Sequence, residues 1–153
     1  MTYHAVTVTL ENIGGIVVVK DKYNSTTQGV TFNATIAGKR QYAVVMRGNP
    51  RLDNGMVVTA VLRDPENWQT LAGWLNHATG EICGVDSPGQ RGAICAFTIL
   101  FGIVFLLRAL RPDTSTAFMV VLISVMVGGN AWSMLALRKS LIVYRLLKPW
   151  MLR

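Results

Sequence analysis

The sequence is poor in the side chains that most catalytic and metal chemistry requires. It holds two cysteines and two histidines in 153 residues. Cys83, Cys95, His4 and His77 stand at no spacing, such as CxxC or HxxxH, that pre-assembles a metal centre. Cys95 falls inside an apolar run, so a structural disulfide is not expected and both thiols are expected free, in keeping with a reducing compartment. No GxSxG elbow organises a nucleophile, and Asp64 and Glu66 flank Pro65 as an exposed turn rather than a paired-carboxylate site. The chain is therefore expected to be no enzyme, with no cofactor and no metal site. It also lacks a basic start followed by an apolar stretch and a small-residue cleavage site, so a cleaved signal peptide is not expected. Internal repeats and low-complexity segments are missing as well.

Acidic residues are scarce, eight against fifteen Lys and Arg, which gives a net charge of +7. That surplus would suggest a nucleic-acid binder if it were evenly spread. It is not: residues 1–91 carry eight Lys/Arg against seven Asp/Glu, and residues 92–153 carry seven against Asp113 alone. The second half is also where the apolar runs lie, so its charge points to membrane topology and anionic lipid before phosphate.

Two apolar runs, 93–110 and 117–137, are separated only by residues 111–116. A helix needs about 20 apolar residues to cross the hydrocarbon core. The pair predicts a transmembrane helical hairpin, with Arg108 near the end of the first run, where its side chain can snorkel. Thr98 and Gly102 on the first crossing, and Ser124, Gly128, Gly129 and Ser133 on the second, are small residues at helix-packing spacing. They can serve packing within the hairpin or between subunits. Asn130 is the one amide deep in the second run and is expected to face protein. So few polar groups argue against a transport pore in a single chain.

Beyond the hairpin, residues 138–153 form a basic amphipathic tail in which Leu141, Ile142, Leu146 and Leu147 alternate with Arg145 and Lys148. Such a segment is expected to lie along the interface, with Arg138, Lys139, Arg145 and Lys148 at the lipid headgroups and Tyr144 and Trp150 beside them. Arg91, Arg138, Lys139, Arg145, Lys148 and Arg153 flank the terminal sides, against Arg108 and Arg111 on the connecting loop. The positive-inside rule then places both termini of a multi-pass membrane protein in the cytoplasm.

The first 88 residues differ in kind. They show the two-residue alternation of half-buried strands, punctuated by turn residues, with no strong helical period. Val6, Val8 and Leu10 alternate with Thr7 and Thr9. After Gly14-Gly15 the β-branched run at 16–20 predicts a curved, well-buried strand. Further strands are expected at 30–37, 41–47, 56–63, 68–76 and 81–85, with a reversal at Gly38-Lys39-Arg40 and a hairpin-type Asn54-Gly55. A mainly β domain this small gains from closing into a barrel, which removes exposed edges. The five-strand OB barrel fits best, with strands at 13–22, 30–37, 41–47, 56–63 and 68–76, and an SH3-like barrel remains open. Residues 85–92, rich in Pro and Gly, read as a hinge to the membrane helices.

Residues 14–22, the 30–47 hairpin, Leu52-Asp-Asn-Gly-Met-Val-Val-Thr59 and Gly73-Trp-Leu-Asn-His-Ala-Thr-Gly80 together resemble bacterial membrane-tethered OB-fold proteins, loosely the NfeD-like group. In that group the barrel usually follows the membrane helices, whereas here it comes first. The resemblance covers most of the chain and implies an assembly or scaffolding role in a bacterial inner membrane, with no catalytic residue to carry over.

The leading expectation is a non-catalytic, membrane-anchored binding or assembly module acting through protein–protein contacts and self-association. Lys39, Arg40, Arg47 and Arg51 are loop and strand-end candidates for partner contact. Trp68 and Trp74 are either core or a binding hot spot. An alternative is an OB module for single-stranded nucleic acid or oligosaccharide, in which Tyr23, Phe32, Tyr42 and Trp68 stack bases beside Lys20, Lys22 and the cations above. Core packing explains Phe32 and Tyr42 equally well, and the domain's near-zero charge speaks against nucleic acid. A second alternative is an accessory subunit of a membrane complex, in which the hairpin matters and the barrel only gates or docks.

Overall fold

The computed structural model describes residues 2–20, 27–109 and 115–151. Lys22, Tyr23, Arg111 and Arg153 lie outside the described residues. The chain divides into two compact units, Met1–Val85 with Ile142–Arg153, and Asp86–Leu141.

The first unit is built on an antiparallel six-stranded sheet. Its strands are β1 (His4–Lys20), β2 (Thr27–Ile36), β3 (Lys39–Arg47), β4 (Met56–Leu62), β5 (Leu71–Asn76) and the short β6 (Ile82–Cys83), in spatial order β3-β2-β1-β4-β5-β6. The alternating stretch of Val6, Val8 and Leu10 and the strand expected at 16–20 are one strand of 17 residues. Its first part pairs with β4 from His4↔Leu62 to Leu10↔Met56, and its second part pairs with β2 from Leu10↔Ile36 to Lys20↔Thr27. Irregular pairing around Gly14 and a positive φ at Gly15 bend the strand between these duties without ending it.

The turns are chemically legible. Ala37 and Gly38, both at positive φ, make the two-residue β2–β3 reversal. Asn67 caps a 3₁₀ turn, Trp68–Thr70, by accepting from the Gln69 amide at 3.0 Å. The expected strand at 68–76 therefore starts only at Leu71, and Trp68 belongs to the turn before it.

The alternation on β2 sorts cleanly: Val30, Phe32, Ala34 and Ile36 are buried, joined by Val44 and Met46 of β3, Leu10 of β1 and Val58 and Trp74 of β4 and β5. The sheet curls around this core. Phe32 meets Trp74 with ring centroids 5.7 Å apart, and β3 approaches β5 across it. Gly84 is a glycine by necessity: it sits at φ 89°, and a Cβ there would fall 2.8 Å from the Cα of Gly73. No hydrogen-bonded ladder joins β3 to β5 among the described residues, so the sheet is open.

The outer face of β4 and β5 has its own cover. Val61, Ala72 and Leu75 pack against Val143 and Leu147, both fully buried, with Tyr3, Ile82, Val85 and Leu146 around them. The apolar side of the tail expected on lipid thus meets the sheet. Arg145 and Lys148, on the other side of that helix, are exposed.

The second unit is two helices. α1 (Pro88–Ala109) opens inside the expected hinge, because Pro88 suits a first helical position and Ser87 Oγ accepts from the Gln90 amide at 3.2 Å. α2 (Thr116–Met151) is capped by Ser115 Oγ at 3.3 Å from the Phe118 nitrogen and runs unbroken through the expected start of the tail at 138. Both are long and apolar enough to cross a membrane, over Pro88–Arg108 and Thr116–Lys148. The 22 residues of α1 span about 33 Å, close to the hydrocarbon thickness, while the 36 of α2 span about 54 Å and exceed it.

Candidate functional site

The β-branched run that the sequence placed in the core is on the surface. Ile16, Val17, Val18 and Val19 are 51, 60, 45 and 48 % exposed. Strand order explains it. β4 begins at Met56, opposite Leu10, so β1 beyond Leu10 has β2 on one side only. Asn54 Oδ1 accepts the Ile13 amide at 2.6 Å and closes the edge there, and among the described residues no β-ladder covers the stretch from Gly14 to Lys20 on that side. Register sorts the side chains into rows. Val18, Val30 and Met46 lie side by side across β1, β2 and β3, with the last two buried and Val18 at the open end. The next row, Val17, Thr31 and Val45, faces outward, with Val45 54 % exposed.

A strand that is apolar on both faces and open along one edge can do one thing well, which is to pair with another extended strand. Asn33 holds the base of this arm: its Oδ1 accepts the Ala43 amide at 2.9 Å. Its Nδ2 lies where a Cβ on Gly15 would come within 2.6 Å. The bulge at Ala43, φ 52°, turns Tyr42 outward to 65 % exposure, whereas Phe32 is fully buried. The possible base-stacking pair Phe32 and Tyr42 is therefore split between core and surface. Nothing in the residue pattern around Asn33 announces that role.

The expected partner-contact residues do not converge. Lys39 and Arg40 open β3 and Arg47 closes it, about 25 Å away at the rise of an extended strand. Arg40 donates to the Asn12 carbonyl at 2.5 Å, and Arg51 is ion-paired to Asp53 at 2.6 Å. These cations form no single groove. Trp68 and Trp74 are 6 and 0 % exposed and belong to the core cluster.

Within the second unit the small and polar helix positions divide by face. Thr98 Oγ1 reaches Asn130 Oδ1 at 3.3 Å, and Asn130 Nδ2 donates to the Met126 carbonyl at 2.9 Å. Gly102 sits beneath Met126, whose methyl group occupies the place of a Cβ. These three close the hairpin, beside an apolar groove of about 230 Å³ between Ile99 and Leu122. Ser124, Gly128 and Gly129 are exposed, with nothing within 4 Å of either glycine's Cβ position, and Ser133 is half-buried. At the base of α1, Asp86 pairs with Arg91, and the Asp86 carbonyl accepts from Ser140 Oγ at 2.7 Å. Arg138 is exposed and Lys139 half-buried.

Two further polar features belong to the first unit. Thr59, fully buried, shares its Oγ1 with Thr7 Oγ1 and His77 Nε2, each at 2.8 Å. Cys83 is half-buried beside the Glu81 carboxylate, and burial together with that negative charge pushes its thiol up to about 11. Every buried side-chain polar atom among the described residues has a hydrogen-bond partner. Compared with known protein families, curated proteins and solved structures, the chain finds no match in any of the three.

Proposed function

We propose that the chain is a membrane-anchored, non-catalytic binding or assembly module that works through protein–protein contacts. The two apolar helices hold it in a bacterial inner membrane with both termini on the cytoplasmic side, and the β unit carries the contact surface. One observation supports this above the others: four consecutive β-branched residues of β1 stand exposed on an edge that no other strand pairs among the described residues. Monomeric domains cover or charge such an edge, because it recruits other strands. The dispersal of Lys39, Arg40, Arg47 and Arg51 favours protein over nucleic acid as the ligand, since a single-strand groove needs its cations in one track.

The β unit itself we read as an OB-like barrel of the NfeD-like kind. The long β1 shared by β2 and β4, the curl that brings β3 towards β5, and Phe32 against Trp74 are what support that reading. Amine cross-linking of membranes that carry the full chain tests the assembly function. A discrete adduct of fixed stoichiometry is expected. Only the 16.8 kDa monomer at every cross-linker concentration would refute it.

A further inference from the structure

We infer that the partner at the open edge of β1 is a second copy of this chain, paired antiparallel through residues 16–19 about a twofold axis. The inference rests on the assembly reading above and names its partner. A twofold axis normal to the sheet keeps each side chain on its own face, so residues of like parity must oppose one another. Centred on Val18, the pairing sets Val17 against Val19 and Ile16 against Lys20. Centred on Val17, it sets Ile16 against Val18 and Gly14 against Lys20. Either register matches β-branched residues across the seam on both faces, which is the favourable cross-strand chemistry.

Charge placement agrees. Lys20 is the one ionic side chain of residues 13–20. In either register the two Lys20 side chains stand at opposite ends of the seam, about 13–20 Å apart, beyond the screening length of physiological salt. A lipid surface fits the arm less well. The β2 residues opposite its end are Thr27, Gln28 and Gly29, so inserting the hairpin would carry polar side chains and unpaired backbone into the bilayer. A protein strand takes the edge of β1 and leaves β2 in water.

The test is cysteine cross-linking of the full chain in its membrane, in a Cys83→Ser, Cys95→Ser background. Directly opposed residues of an antiparallel pair have Cα atoms about 4.5–5.5 Å apart, within disulfide reach. Val17→Cys or Val18→Cys should therefore oxidise to a species of twice the monomer mass with copper-phenanthroline. Val45→Cys, equally exposed but on β3, should not. As a second measurement, Val18→Lys places an ammonium at the seam and should weaken self-association about tenfold or more, because burying an unpaired charge is costly. Val18 is already half-exposed, so the monomer tolerates that change. No doubled species at 17 or 18, equal cross-linking at 45, or an adduct of another mass would overturn the inference. If amine cross-linking still gives a self-adduct in that case, the assembly reading survives and the seam lies elsewhere. If the wild-type chain gives only monomer, both fall.

Discussion

Leu147→Ala tests whether the end of α2 belongs to the sheet or to lipid. Leu147 is fully buried against Val61, Ala72 and Leu75. Truncation removes three carbons, about 2.4 kcal/mol of transfer free energy at the usual value per methylene. A partly collapsed cavity adds to this and brings the expected cost to about 3 kcal/mol, inside the range for buried leucines. Leu141 is the matched control, because it is 47 % exposed on the same helix and its truncation should cost under about 0.5 kcal/mol.

Urea unfolding of the full chain in mild detergent, in a Trp132→Phe, Trp150→Phe background so that only the buried Trp68 and Trp74 fluoresce, reads the stability of the sheet. With a slope of about 1.5 kcal/mol per molar, the Leu147→Ala midpoint should fall by about 2 M and the Leu141→Ala midpoint should hardly move. The sign is informative as well as the size. If the tail lay on the bilayer, Leu147 would face lipid instead of Val61, Ala72 and Leu75, and neither truncation would touch the sheet's midpoint. Equal, small shifts would therefore refute the packing of α2 on β4 and β5.

Local geometry sets three further outcomes. Gly102→Leu should separate the helices of the hairpin, because Met126 already fills the space above Gly102, while Gly102→Ala needs only a turn of the flexible methionine. Gly128→Leu meets open space within the chain, so it should leave the hairpin intact. Disulfide trapping between cysteines placed at 98 and 130 distinguishes the two leucine variants. Loss of trapping in Gly128→Leu, or its retention in Gly102→Leu, would reverse the assignment of faces. Cys83 should react with iodoacetamide slowly at pH 8 and gain speed only towards pH 11, since burial and Glu81 favour the neutral thiol. The linkage has a definite sign. The folded state holds this proton more tightly than the unfolded chain, so its contribution is intact below about pH 9 and is lost between about 9 and 11. Cys83→Ser should flatten that alkaline loss, and an unchanged profile would point to another group.

How much of this was legible before the structure depends on whether each fact is local. Val30, Phe32, Ala34 and Ile36 could be assigned to one buried face because β2 is regular where they lie and its period is uninterrupted. On β3 the same reasoning fails at Tyr42, because the bulge at Ala43 inserts a residue and resets the parity. Gly14-Gly15 read as a strand boundary and is a bend within β1, since the pairing that carries the strand through it comes from two different neighbours. The cations failed as a site for a similar reason: Arg40 and Arg47 are near in sequence but an extended strand separates them.

The tail and the arm expose a deeper limit. A helix with Val143 and Leu147 on one side announces that this side meets something apolar, and lipid and a β-sheet satisfy that demand equally. A run of β-branched residues announces burial in the same unspecific way. For residues 16–19 the core was the natural assignment, yet the residues that decide it are Leu10 and Met56, where β4 begins and leaves the rest of β1 without a second neighbour. Amphipathic pattern fixes the chemistry of a surface, and only strand order fixes its occupant. The open end of the row formed by Val18, Val30 and Met46 is where that distinction becomes physical: its two inner members are satisfied within the chain, and the third has an apolar surface still in water.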